Sequence, residues 1–270
     1  MSMTLEDAMK VLSENNASSL FEAKVHSTGK VYQFRPLTVG MRKSLAKFSI
    51  GGDETKEELV KFQTAKMAML KTLCTETLDD KTVTEVDFIS LLATVRSNSS
   101  IDDLVLDMTC GNKDCKTQFK HKIDFEGIVK KCSEFKFKIL EPVFYDKANR
   151  SYKLVLSYPS ALDEVSMDAQ SETMEPAIYK LTYPYIYVRQ IFINGVEIEN
   201  FAGRSLTERI ALIDKLPDEI LYNASVDNLY KKVYDEFDTG SFVNVYGELK
   251  CPGCGNNLEG VVTSDNFFTI

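Results

Sequence analysis

The stretch Cys251-Pro-Gly-Cys254-Gly sets two thiols three residues apart around a proline and a glycine, with a second glycine just after, which is half of a metal clamp. A thiolate is a soft donor suited to zinc, and a closed structural zinc site takes four ligands in a tetrahedron. A second pair, Cys110 and Cys115, stands in "TCGNKDCKTQF" with C-x4-C spacing. The chain carries six cysteines and no secretory signal, so close pairs read as metal ligands in a reducing compartment and not as disulfides. Cys74 and Cys132 stand apart from any pair, Cys74 in a helical pattern and Cys132 beside a β-like run. Both are expected to be small apolar fillers.

The elements around each pair have one layout. Before Cys110, "DDLVLDMT" alternates Leu104, Leu106 and Met108; after Cys115, "FKHKIDF" alternates Phe119, His121, Ile123 and Phe125. "SFVNVYGELK" precedes Cys251 and "NLEGVVTSDNFF" follows Cys254. Each segment reads as a β-hairpin with cysteines at its bend, and Gly255 supplies positive-φ freedom after the second thiol. Three arrangements are open. The pairs could share one four-thiolate zinc, hold separate weak sites completed by His121 or carboxylates, or carry no metal. Two complete half-motifs favour the shared site: Cys110, Cys115, Cys251 and Cys254 around one structural Zn2+ per chain, a split zinc ribbon. His121 reads as a strand-face residue. Residues 116–250 separate the pairs, but closure entropy grows only logarithmically with loop length. Structural zinc contributes on the order of 10 kcal/mol in small zinc peptides, enough to offset it. Four thiolates leave no open coordination position, and no HExxH or HxE…PCxxC pattern occurs, so the expected zinc is structural.

The remaining pattern predicts an α+β fold in four parts: a mainly helical region with a β-hairpin at 1–99, the first zinc hairpin at 100–126, an inserted α+β segment at 127–240, and the second zinc hairpin at 241–270. Thr4 with Asp7 opens a short helix, and a hairpin turns at Ser27–Gly29 and exits at Pro36. "VGMRKSLAKFS" is a short helix stopped by Gly51-Gly52. A long helix covers "KEELVKFQTAKMAMLKTLCTETL" with Leu59, Phe62, Met69 and Leu73 on one face. Another begins at Thr84 and Asp87 and carries Phe88, Leu91, Leu92 and Val95. In the insert, "FKFKIL" and "YKLVLSY" read as strands joined near Asp146–Arg150, and "SALDEVSMDAQ" as a helix. Asn194-Gly195 marks a hairpin. Ser205 with Glu208 forms a capping box, and Pro217 divides that helix from a second over "PDEILYNASVDNLYKKVYDEF", with Ile220, Ala224, Leu229, Val233 and Phe237 near one face.

The 270 residues carry a net charge of −8 from 40 acidic and 32 basic side chains, so little affinity for nucleic acid is expected. No apolar run is long enough to span a bilayer. The acidic "MSMTLEDAMKVLSEN" is not a signal peptide, and a soluble cytoplasmic protein is expected. The basic clusters near Lys130–Lys138 read as a solvated face. His26 and His121 are the two histidines, and GxSxG, P-loop and GxGxxG patterns are missing, so an enzyme is not expected. A zinc-ribbon nucleic-acid or regulatory module is the alternative to a protein-binding role.

In order, "FRPLTVGMRKSL", "DFISLLATVRSNS", "LDMTCGNKDCKTQFKHKIDF", "LIDKLPDEIL" and "KCPGCGNNLEGVVTSDNFF" resemble the baseplate hub subunit and hub assembly chaperone family of T-even-type contractile-tailed phages. The family resemblance leads one to expect C-x2-C where this chain has C-x4-C. It implies a non-enzymatic factor in tail morphogenesis. Its partners would be baseplate hub or tail proteins, in the host cytoplasm or in the finished tail. Phe267, Phe268 and Ile270 would either dock on a partner or fold back on the core.

Overall fold

The computed structural model describes residues 19–46, 55–99, 103–222, 228–237, 249–258 and 267. The helix expected at Thr4–Asp7, the Gly51-Gly52 stop, Ala224, the strand ahead of Leu249, Phe268 and Ile270 lie outside them. Helices alternate with small antiparallel sheets, the mixed architecture that the patterning predicts.

Strands β1 (Phe21–Lys24) and β2 (Val31–Phe34) form the first hairpin, with Gly29 at φ 75° in its turn. Helix α1 (Val39–Ala46) follows, then α2 (Lys56–Leu73), opened by a Thr55/Glu58 capping box. The sequence extends α2 to Leu78, but it stops at Leu73. Cys74 turns extended (ψ 134°) and bridges to Phe34, while Thr75 N–H donates to Gln33 O at 2.9 Å, so strand pairing with β2 takes over the backbone. Cys74 is thus buried at a helix cap.

Helix α3 (Glu85–Ser99) begins where expected. The Asp87 carboxylate accepts from Thr84 N–H (3.2 Å) and its hydroxyl (2.8 Å), and Thr84 Oγ1 accepts from Asp87 N–H. The fully buried Asp87 also accepts from Ser27 N–H and Oγ, which ties the β1–β2 turn to α3. His26 Nε2 lies 3.1 Å from Ser90 Oγ on the same helix. Burial lowers the His26 pKa against the opposing pull of Asp87. Serine, histidine and aspartate meet here, yet Asp87 spends its oxygens on Ser27 and Thr84, and Ser90 is buried. The trio fastens a turn to a helix.

β3 (Val105–Thr109) pairs with β4 (Gln118–Lys122) in the register Val105↔Lys122 to Thr109↔Gln118. The chain then enters a helix that the alternation in "FKHKIDF" had concealed, α4 (Phe125–Glu134), capped by Asp124 accepting from Gly127 N–H at 2.9 Å. Cys132 is a buried residue of α4, its thiol pushed up to about 12 by desolvation. Ile128 and Cys132 join β1–β2, α2 and α3 in a first core, which fits an i, i+4 apolar pair on one helix face.

A second core fills the space between a five-stranded sheet and its helices. Of "FKFKIL", only β5 (Ile139–Leu140) is strand; Phe135 and Phe137 instead pack edge-on to Tyr158, at 5.1 and 6.0 Å. Pro142, which has no N–H to donate, separates β5 from β6 (Val143–Tyr145), and both pair with one side of β7 (Ser151–Ser157). β7 also pairs with β8 (Val188–Ile193), and β8 with β9 (Val196–Glu197). Asn194 (φ 50°) and Gly195 (φ 80°) make the expected hairpin turn. A Cβ at Gly195 would meet nothing within 4 Å, so Gly195→Ala should cost about 1 kcal/mol through backbone strain alone, measurable by urea denaturation.

Helix α5 (Ala161–Gln170), capped by Ser160, joins the two cores: Ser160 bridges to Thr84, and Ala161 N–H donates to Val83 O at 2.9 Å. Helix α6 (Pro176–Thr182) and a 3-10 turn (Tyr183–Tyr187) precede β8. Helix α7 (Leu206–Ile213) carries the Ser205/Glu208 capping box. The long helix expected after Pro217 is interrupted: α8 (Asp218–Leu221) ends at Tyr222 (φ −137°), and α9 (Leu229–Glu236) starts afresh on an Asn228 cap. No helix among the described residues is long and apolar enough to cross a membrane.

Candidate metal centre

The register of β3–β4 places Cys110 directly after one strand, and its N–H donates to Thr117 O at 2.9 Å, one step beyond Thr109↔Gln118. Across the second bend, Cys251 N–H donates to Asn256 O at 2.9 Å and Leu258 N–H to Leu249 O at 2.8 Å. The described part of the second segment therefore also folds back at its cysteines.

The bends match closely despite unequal spacing. Gly255 N–H donates to Cys251 O, four residues back, and Lys116 N–H donates to Asn112 O, also four residues back. Gly255 and Lys116, each directly after the second cysteine, have φ of 70° and 47°. Asn112 thus occupies the turn position that Cys251 holds in the other bend, and Cys110 sits two residues earlier. The longer C-x4-C spacing is absorbed before the turn, leaving the sulfurs in reach of one another.

All four sulfurs converge. Cys110 Sγ lies 3.7 Å from Cys254 Sγ, Cys115 Sγ lies 3.7 Å from Cys251 Sγ, and every pair falls within 4.8 Å. Zinc–sulfur bonds of about 2.3 Å in a tetrahedron place sulfurs about 3.8 Å apart. These separations are far beyond a disulfide bond of about 2.05 Å, and all four thiols are free. The residues therefore fit a four-thiolate metal site. His121 on β4 pairs with Leu106 on β3 and is not a member of the cluster.

The backbone prepares each sulfur for negative charge, because each accepts an N–H from the residue two positions on: Asn112 to Cys110, Thr117 to Cys115, Gly253 to Cys251 and Asn256 to Cys254. The Gly253 contact measures 3.3 Å. Such bonds favour the thiolate. The Thr117 hydroxyl, 3.0 Å from Cys115 Sγ, and then the Thr117 N–H draw that thiol down to about 6. At Cys251, burial acts upward, but the N–H groups of Cys254 and Gly253 outweigh it and the pKa falls. At Cys110, the Asn112 N–H acts downward, but burial and the three neighbouring thiols hold the group up at about 12. Four thiolates this close repel one another, and a divalent cation at their centre removes that repulsion.

Cys110 and Cys251 are buried, Cys115 is half-buried and Cys254 is exposed. Leu258, Phe119 and Leu249 pack around the cluster, and Leu249 also touches the first core. Gly253 lies hard against the opposite bend: a Cβ there would collide with the Thr117 hydroxyl and approach Cys115 Sγ to 3.3 Å. Gly253→Ala should therefore weaken metal binding by about tenfold, the usual size of a loss next to a ligand shell, measurable by competition with a chromogenic chelator.

The structure also shows what the two-hairpin reading had left open. Phe267 is fully buried in the first core, its ring edge-on to Phe125 at 5.0 Å, and its carbonyl accepts from Arg96 Nε at 3.0 Å. It folds back.

Neither the curated proteins nor the solved structures hold a match to this chain. A family model described as T4 bacteriophage base plate protein matches residues 18–268, which covers the described fold, both cysteine bends and Phe267. The chain belongs to the T4 bacteriophage base plate protein family.

Proposed function

We propose that this protein is a non-enzymatic protein-binding factor of baseplate hub assembly, acting as a chaperone or as a hub component in the host cytoplasm. Its scaffold is closed by one structural zinc on Cys110, Cys115, Cys251 and Cys254. In this reading the two bends form a split zinc ribbon and the second core is its insert. The family match over residues 18–268 carries the baseplate role. The cluster of four sulfurs within 4.8 Å supports the metal, and sulfur donors of this number and spacing suit zinc. A filled four-thiolate shell leaves no position for substrate, so the ion would act by joining chain segments.

The deciding experiment is a tagged pull-down from infected cells, with the same chain quantified in purified virions. Hub proteins in the pull-down and no copies in virions make it an assembly chaperone. A fixed copy number in virions makes it a hub component. Neither signal overturns the hub assignment.

A further inference from the structure

Phe125 and Phe267 are continuations of the two cysteine bends. Phe125 opens α4, three residues past the end of β4, the strand that leaves the first bend, and Phe267 lies downstream of the second. The chain segments that meet through sulfur at one end therefore meet again through two phenyl rings 5.0 Å apart at 85°. Arg96 completes the seat: its Nε donates to Phe267 O at 3.0 Å, and its guanidinium lies 5.9 Å from the Phe125 ring centroid. Leu249, just ahead of Cys251, packs against both the cysteine cluster and the first core.

From this arrangement we infer a metal-dependent latch: ion binding at the four cysteines seats Phe267 beside Phe125 and Arg96, and loss of the ion withdraws Phe267 and uncovers an apolar seat at the start of α4. The inference rests on reading the cluster as a metal site. Its physical basis is effective concentration. With the sulfurs joined, Phe267 follows the anchored Cys254 by 13 positions in sequence; with them parted, it is joined to Phe125 only through the 142 positions between them. The seat is apolar with one charged donor, so the uncovered surface suits an aromatic side chain followed by a backbone carbonyl. A latch of this kind lets metal occupancy decide whether that surface is presented.

The sequence contains no tryptophan, so Phe267→Trp installs a single reporter. In the full-length zinc-loaded variant, emission should be blue-shifted and shielded from iodide. Chelation should red-shift it and raise quenching while far-UV circular dichroism persists, and zinc should reverse both changes. Linkage supplies an independent measurement: if metal seats Phe267, then Phe267 strengthens metal binding by the same factor. Phe267→Ala, with all four thiols intact, should weaken zinc affinity several-fold in chelator competition. An unchanged affinity overturns the latch, as does emission that ignores chelation or a spectral change that only accompanies global unfolding. Wild-type protein that holds no zinc removes the metal reading itself, and the latch with it.

Discussion

Cys251→Ser should empty the metal centre and loosen both bends together. The wild-type protein should hold about one zinc per chain, and the variant close to none, because removing one thiolate from a closed shell leaves the others without a tetrahedral partner. The effect should reach the first bend, although the substitution lies in the second: Cys251 Sγ faces Cys115 at 3.7 Å, and Cys110 faces Cys254 at 3.7 Å, so each sulfur's near neighbour belongs to the other bend. Structural zinc contributes on the order of 10 kcal/mol in peptides that fold only with metal. Here the two apolar cores are built from residues outside the cluster, so the loss should appear as local opening with a lowered Tm. Mass spectrometry for bound zinc and limited proteolysis around Lys113–Lys116 and Cys254–Asn257 read it directly. Retained zinc with cleavage in the second bend alone would sink the shared site.

The second large effect lies in a buried charge cluster of the second core. Arg209 of α7 is 1% exposed, and its Nη2 sits 2.5 Å from Asp163 Oδ1; Arg189 of β8 lies 3.5 Å from Oδ2 of the same carboxylate. Desolvation pulls Arg189 down to about 10, and Asp163 works against that fall. One carboxylate therefore pairs with two guanidinium groups from different elements. Asp163→Ala should cost about 3–5 kcal/mol, because it strands positive charge away from water. Arg209→Met, which removes a charge and keeps apolar bulk, should cost clearly less. Urea denaturation of both variants tests the asymmetry, and equal losses would mean that packing, not charge, holds this junction.

How much of this was legible depended on whether a residue's role is local. The capping boxes at Thr84/Asp87 and Ser205/Glu208, the Asn194-Gly195 turn and the cysteine bends are set within a few residues, and each stands where the pattern puts it. The thiol cluster was legible because coordination chemistry demands four donors and each bend offers two. Helix α4 was missed because alternation through Phe125 overlapped the Asp124 cap and masked the Ile128/Cys132 spacing. The end of α2 at Leu73 depends on Phe34, some forty positions away, which no local propensity encodes. The partners of Asp87, Asp163 and Arg209 are tertiary in the same sense. Asn112 is subtler: its place as the turn residue was written in the two extra positions of C-x4-C, but only the φ angle of Lys116 shows which residue stands in for Cys251.

The wide separation of the two cysteine bends also sets a clock on synthesis. Cys110 and Cys115 leave the ribosome while the second core is still being made, and at about 5–20 residues per second Cys251 follows roughly 7–30 s later. During that interval two thiols have backbone donors but no partners, while the first core has to hold together without Leu249 or Phe267. The second core has time to fold on its own before the cysteines can meet. Bringing the four thiols together is therefore a late event of biogenesis, and a chain that stalls or misfolds within the intervening segment never forms the cluster. A closed cluster would report that the intervening segment has been both translated and folded.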